Sequence, residues 1–333
     1  MTRRAGLSMV DVLLTLFILV MIVGLLLPAL NWHRETGHGR SKSSNNLKQI
    51  VLACHNYNDA YQGKLPPLVD VGDGAPTGAG LQSLFFQILP YIEQDNIYRT
   101  FNSARPDTYY NSVNGTATNI INTYVNPADE TANDGLVVNA TAIAPDAPAG
   151  FARSFTGSYA TTSYAANGLI PWQDAGIPRT FKDGTSNTIL FAERPQVCTD
   201  AAGSTVYNLW GYGTYGPSTP AFALLTPDEP KRLQSTGQIV AALPLPTKWS
   251  SAMMPVRIGS ESGPTQPSPV SRSFQVGLKA RGLCDPRLAG SPHSMMLVAL
   301  ADGSVRSIDP KMSDWTYWAA LTPDGNETTY SDW

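Results

Sequence analysis

Residues 7–61 constrain this chain more than any other stretch, because they join an apolar half to an amphipathic half, both at helical spacing. From Val12 to Leu30 every residue is apolar except Thr15, Gly24 and Pro28, close to the ~20 residues that carry a helix across a bilayer core. A core helix of a soluble domain has no need of so long a run. Beyond it the chain turns polar, and then Leu47, Ile50, Val51, Cys54, Tyr57 and Tyr61 recur at helical spacing and form one apolar face. Gly37 and Gly39 are expected to bend or loosen the helix between the halves, and Gly63, Pro66 and Pro67 to end it. Unbroken, it would run about 80 Å at about 1.5 Å per residue.

The residues ahead of this helix bear on where the chain resides. Arg3 and Arg4 favour a cytoplasmic N-terminus, although Arg34, Arg40, Lys42 and Lys48 on the other flank weigh against it. Asp11 sets a carboxylate near the start of the apolar run, where burying a charge costs less than the ~2.5–3.5 kcal/mol of a helix centre. A cleaved secretory signal has ~7–15 apolar residues closed by a small-x-small site. This run is longer and no such site follows it, which leaves an uncleaved anchor or a leader removed ahead of the helix.

The second pattern resembles the type IV pilins and type II secretion pseudopilins, in which a peptidase cuts after a leader glycine and leaves the apolar helix attached. On that resemblance residues 1–6 are the leader, and Gly6 and Leu7 flank the cleavage point. Asp11 becomes the fifth mature residue, serving subunit assembly, and Pro28 coincides with the helix kink. The family usually has Phe at the first mature position and Glu at the fifth, where this chain has Leu7 and Asp11.

Of the 333 residues, roughly 270 follow the anchor, room for one large domain or two small ones. Only 15% are charged and the formal net charge is −3, so no electrostatic case exists for nucleic acid. Gly 28 and Pro 26, with frequent Ser, Thr and Asn, describe a loop-rich exported domain. Residues 81–101 give a second helical pattern interrupted by Pro90. In FKDGTSNTILFAE a turn at Asp183 and Gly184 leads into a strand ending near Glu193, and residues 217–272 read as proline-rich surface loops. LVALADGSVRSI reads as a short hairpin, since Asp302 and Gly303 both tolerate the positive φ of a tight primed turn. MSDWTYWAALTPDG reads as a short helix ended by Pro323. The expected fold is α+β: a pilin-like long N-terminal helix packed on a mainly antiparallel β head with long loops. Its parts are a transmembrane helix over 7–30, an amphipathic stalk over 31–62 and an exported head over 63–333 ending in the hairpin.

Five pieces, NNLKQIVLACHNYNDAYQGKLPP, ILPYIEQDNIY, SYAANG, DGTSNTILFAER and SPHSMMLVALADGSVRSI, together resemble a bacterial family of prepilin-type cleavage/methylation proteins named for a C-terminal H-x9-DG motif. Here His293 and Asp302 enclose eight residues rather than nine, and Asn126-Pro127 stands where the family often has Cys-Pro. The resemblance implies a pilin-like anchor with an exported α+β head, and brings no catalytic residue with it.

His293 and Asp302, at opposite ends of one short strand, would lie roughly 30 Å apart at about 3.3 Å per residue and could not share a ligand. Their expected roles are structural: His293 fixes a loop, while Asp302 and Gly303 make the hairpin turn. His33, His38, His55 and His293 show no metal-ligand spacing, and Asp200, Asp302, Asp309 and Asp324 lack that of a calcium loop. Gly211, Gly213 and Gly216 form G-x-G-x-x-G, but Pro217 and Pro220 follow where the motif needs a helix. Ser186 lies in no nucleophile elbow. Tryptophans and tyrosines could supply a sugar-binding surface, against the commoner role of core or loop anchors. Cys198 and Cys284 are the expected disulfide pair, since Cys54 falls on the stalk's core face.

No catalytic residue, cofactor or metal is expected, and the chain reads as non-enzymatic. Its expected function is a pseudopilin-like structural or accessory subunit of a type II secretion or type IV filament system, single-pass in the cytoplasmic (inner) membrane with an extracytoplasmic head. Expected partners are a prepilin peptidase, the chain itself or other pseudopilins, and inner-membrane lipid; nucleic acid is not one. The alternative is a membrane-tethered extracytoplasmic binding module, for instance for envelope polysaccharide, that uses the leader only for export.

Overall fold

A single helix, α1, runs from Met9 to Ala60 without interruption, a rod of about 78 Å at ~1.5 Å per residue. In this computed structural model the described residues are 9–70, 82–100, 115–143, 154–172, 174–199, 203, 205–213, 218–223, 274–278, 283–324 and 333, and the side chains of 22–38, 70, 142–143, 154–155, 314–315 and 318 are not among them. Gly6 and Leu7 thus lie outside the described residues, and Pro28 is described only as part of the helical backbone. Among the described residues no helix is long and apolar enough to cross a membrane.

The bend expected at Gly37 and Gly39 does not interrupt the helical assignment. Gly39 instead allows a close approach: a Cβ there would sit 3.3 Å from the Ala128 Cβ and 3.9 Å from His293 Cε1. The helix ends as anticipated. Gln62 and Gly63 take positive φ, and the Gly63 N–H reaches back to the Asn58 carbonyl at 2.7 Å, which satisfies one of the carbonyls that a helix end leaves unpaired. Leu47, Ile50, Val51 and Cys54 are all fully buried, whereas Tyr57 is half-buried and Tyr61 is exposed.

After α1 come two short paired strands, β1 (Val69–Asp70) and β2 (Gln82–Ser83), then α2 (Leu84–Gln87), a 3-10 turn Leu89–Ile92 and α3 (Asp95–Tyr98). The single helical pattern expected over 81–101 is therefore two short α pieces around a 3-10 turn. Pro90 sits at the N-terminus of that turn, where its missing N–H costs nothing. Ser83 caps α2 by accepting from the Phe86 N–H at 3.1 Å.

Next, β3 (Leu136–Ile143) and β4 (Ser154–Ala160) form an antiparallel ribbon. They are followed by β5 (Tyr164–Asn167), β6 (Ile189–Glu193), the paired β7 (Val197–Thr199) and β8 (Thr205–Tyr207), and β9 (Ala221–Phe222). Finally β10 (Met296–Leu300), β11 (Val305–Ile308) and α4 (Asp314–Ala319) complete the described elements. The main sheet has the order β11-β10-β6-β5-β9, antiparallel except for the parallel β5–β9 pair. The fold is α+β with mostly antiparallel sheets.

Both faces of the inner strands of this sheet are covered. Along β10 and the residue after it, Leu297, Ala299 and Ala301 join the cluster beneath α1, while Met296, Val298 and Leu300 join the cluster beneath α4. A strand buried on both sides reads as an unbroken apolar run, and MLVAL does. Burial of Leu47, Ile50 and Val51 of α1 in the first cluster stabilises by at most about 5–9 kcal/mol at ~1.5–3 kcal/mol per side chain.

The turn between β10 and β11 differs from the expected primed turn. Gly303 alone has positive φ, its N–H bonds to the Leu300 carbonyl, and the Leu300 N–H bonds to the Ser304 carbonyl. This is a three-residue loop closing on a left-handed glycine. Asp302 serves it through its side chain, accepting from the Ser304 N–H at 2.8 Å and from its hydroxyl at 2.7 Å.

Candidate functional site

The densest polar chemistry lies buried where α1 meets the sheet. Glu193 ends β6, so its side chain projects from a strand that is otherwise apolar, ILFA. Its Oε1 accepts from the Ser43 hydroxyl at 2.6 Å and from Asn126 Nδ2 at 2.9 Å, and its Oε2 accepts from the Leu297 N–H at 3.1 Å. The Ser291 side chain hydrogen-bonds to it as well. Burial pushes the Glu193 carboxyl above its usual range, the hydrogen bonds of Ser291, Ser43 and Leu297 pull it back, and repulsion from Asp129 adds to the rise. One carboxylate thereby ties together α1, the loop at Asn126, the loop at Ser291 and strand β10.

The tie extends along the helix. Asn46 Nδ2 donates to the Val125 carbonyl at 3.0 Å and to the Tyr164 hydroxyl at 3.2 Å, and that hydroxyl donates to Ser43 Oγ at 3.1 Å. Asn46, Tyr164, Ser43 and Glu193 thus form one directed chain of hydrogen bonds between stalk and sheet. Beside it, Asp129 Oδ2 accepts from the Ser163 hydroxyl at 2.9 Å and from the Gln196 N–H at 3.0 Å. The next residue, Arg194, is also buried. Its Nη1 donates to Asn208 Oδ1, the Thr219 carbonyl and the Ala221 carbonyl, and burial pushes its guanidinium down to about 10 against the opposing pull of Asp285.

His293 and Asp302 do not meet; they mark two ends of the same seat. His293 lies under Gly39, and its imidazole is held below its usual pKa by burial and by the Arg40 charge. At the other end His55 Nε2 donates to the Ala301 carbonyl at 3.0 Å, the residue before Asp302. Between these two contacts, from Gly39 to His55, the helix covers about 24 Å at ~1.5 Å per residue.

The two Asp-Gly turns meet at this end. Gly184 has φ 104°, and the Asp302 and Ala301 N–H groups bond to the Thr185 and Thr188 carbonyls, each at 3.0 Å. Asp183, Gly184, Asp302 and Gly303 are turn residues at one junction. Cys198 and Cys284 form a disulfide across 86 residues, and Cys54 is a buried free thiol whose titration burial pushes far up. Asp11 lies in the first turn of α1. Among the described residues no group of His, Cys, Asp and Glu could hold a metal ion.

Glu193, Ser43, Asn46 and Asn126 were not singled out by sequence reasoning as site residues. The available signal was local: a Glu-Arg pair directly after a buried apolar strand must find buried partners, and Asn126 stood at the position noted for its departure from Cys-Pro.

Fold and site define an α+β head seated on a long helix through a buried carboxylate. The chain belongs to the family described as "Protein of unknown function (DUF1559)", which matches residues 39–311. The matched region begins at Gly39, where the helix enters its seat. No curated protein and no solved structure matches the chain.

Proposed function

We propose that this chain is a pseudopilin-like, membrane-anchored structural or accessory subunit of a type II secretion or type IV filament-type system. The observation that carries this reading is the division of α1. Residues from Gly39 onward are locked into the head by the Glu193 seat, whereas Met9, Val10, Val12, Leu13, Leu14 and the large apolar residues on to Met21 are 49–80% exposed. At ~1.5–3 kcal/mol per side chain, leaving eleven such residues in water would cost on the order of 15–30 kcal/mol, so lipid or neighbouring helices must cover them. A head that grips its own helix over ~24 Å holds the apolar end at a fixed position, as a subunit that stacks through that end requires. In this reading residues 7–30 span the inner membrane, cleavage falls between Gly6 and Leu7, and Asp11 pairs with the N-terminal amine of a neighbouring subunit.

Single cysteines placed at positions 10, 13, 17 and 20 test assembly by oxidative crosslinking in intact cells. A ladder of self-adducts or adducts with pilin-like partners is expected. Monomer alone, with the chain still in the membrane fraction, would favour the tethered binding module instead.

A further inference from the structure

The end of α1 remote from its exposed apolar stretch carries a cluster that the seat does not use. Residues of HNYNDAY and ILPYIEQDNIY meet here. The rings of Tyr57 and Tyr61 stack with centroids 4.1 Å apart and planes at 17°, as residues one helical turn apart can. Tyr91 meets Tyr57 edge-on at 6.1 Å and 74°. Tyr61 is 49% exposed; with one face on Tyr57, its exposure falls on the other face and the ring edge. Next to this platform Gln87, only 8% exposed, accepts from the Tyr57 hydroxyl through Oε1, while its Nε2 is buried without a hydrogen-bond partner.

The geometry points to a carbohydrate-binding subsite, with a neutral sugar ring laid on the open face of Tyr61 and its hydroxyls taking the hydrogen bonds at the platform's edge. A pyranose offers an apolar C–H face matching an aromatic plane, and oxygens able to bond the tyrosine hydroxyl at the platform's edge. Tyrosine suits both requirements, being apolar on its face and polar at its tip. Exposed Asp59, Lys64 and Glu93 around the cluster include both signs, which gives an anionic polymer no field to follow. Proline-rich peptides also use aromatic sites, but they dock in grooves, and two tyrosines stacked face to face make one flat platform. About 60 Å of helix separates Met21 from Tyr61 at ~1.5 Å per residue, so the platform stays open when the apolar end is covered. The inference rests on the tyrosine geometry alone and holds for a filament subunit or a tethered module alike.

The test is affinity electrophoresis and calorimetry of the full chain in detergent micelles against dextran, mannan and laminarin, with a proline-rich decapeptide and polyphosphate as comparators. Saturable binding to at least one neutral polysaccharide is expected. Tyr61→Ala should weaken it at least tenfold and Tyr61→Phe by less, both with unchanged circular dichroism. No binding to any of the three, equal binding by Tyr61→Ala, or binding of the peptide or polyphosphate in their place would each overturn the inference.

Discussion

Replacing Glu193 by Ala removes the acceptor for the Ser43 hydroxyl, Asn126 Nδ2, the Leu297 N–H and the Ser291 side chain. Each buried donor left unmet costs about 1–3 kcal/mol. Contributions within one network do not add fully, and losing a buried charge returns some desolvation energy, so the net loss should be about 4 kcal/mol. For a domain of this size each kcal/mol moves the melting temperature by roughly 2–4 °C, which gives a fall of roughly 8–16 °C. Glu193→Gln keeps one acceptor oxygen and should lose about half as much. Glu193→Met restores volume without an acceptor and should be nearly as damaging as Ala. The assay is thermal unfolding of the full chain by far-UV circular dichroism, with amide hydrogen exchange over residues 43–54 as the local readout. Exchange there should rise before the rest of the head opens. Wild-type melting and protection in Glu193→Met would refute the reasoning, because packing rather than hydrogen bonding would then hold the stalk.

Three other outcomes are expected. Gly176→Ala would place a Cβ 2.1 Å from the Gly63 carbonyl oxygen, backbone against backbone, and should destabilise by more than about 2 kcal/mol in a denaturant titration. Serine at both Cys198 and Cys284 opens a loop of 86 residues, worth about 4.6 kcal/mol on the chain-entropy account; a lower urea midpoint, reproduced in wild type by reductant, checks it. His293 has a folded pKa below its ordinary ~6.5 through burial and Arg40, so its contribution is fully present above ~6.5 and is lost as pH falls toward the folded value. Glu193, raised by burial, has the opposite sign: its contribution is lost as pH rises through the raised value. The difference between wild type and His293→Gln therefore isolates the histidine, and it should shrink between pH 7.5 and pH 5.

Much of the architecture was legible because it follows from period and punctuation. The stalk's apolar face was readable at Leu47, Ile50, Val51 and Cys54, its end at Gly63, and the strand ending at Glu193 from the turn before it. What escaped was set by tertiary contacts. Gly39 looked like a weak point in a helix, yet its missing side chain lets α1 approach Ala128 and His293. Asp302 was read as a residue of a primed turn, but its carboxylate, by bonding Ser304, favours a looser loop with Gly303 alone at positive φ. The Glu193 seat draws on positions 43, 126, 193, 291 and 297, and no periodicity connects residues so far apart. His293 and the Asp-Gly turn were legible as a pair, but their shared task, gripping opposite ends of one length of helix, required the helix to be in place.

The mature N-terminus bears most directly on the central claim, that this chain is an anchored, pilin-like subunit processed ahead of its apolar helix. Intact-mass spectrometry of the full chain, extracted from membranes of cells with an active prepilin peptidase, should give a protein beginning at Leu7. A membrane-extracted chain still beginning at Met1 in those cells would contradict it.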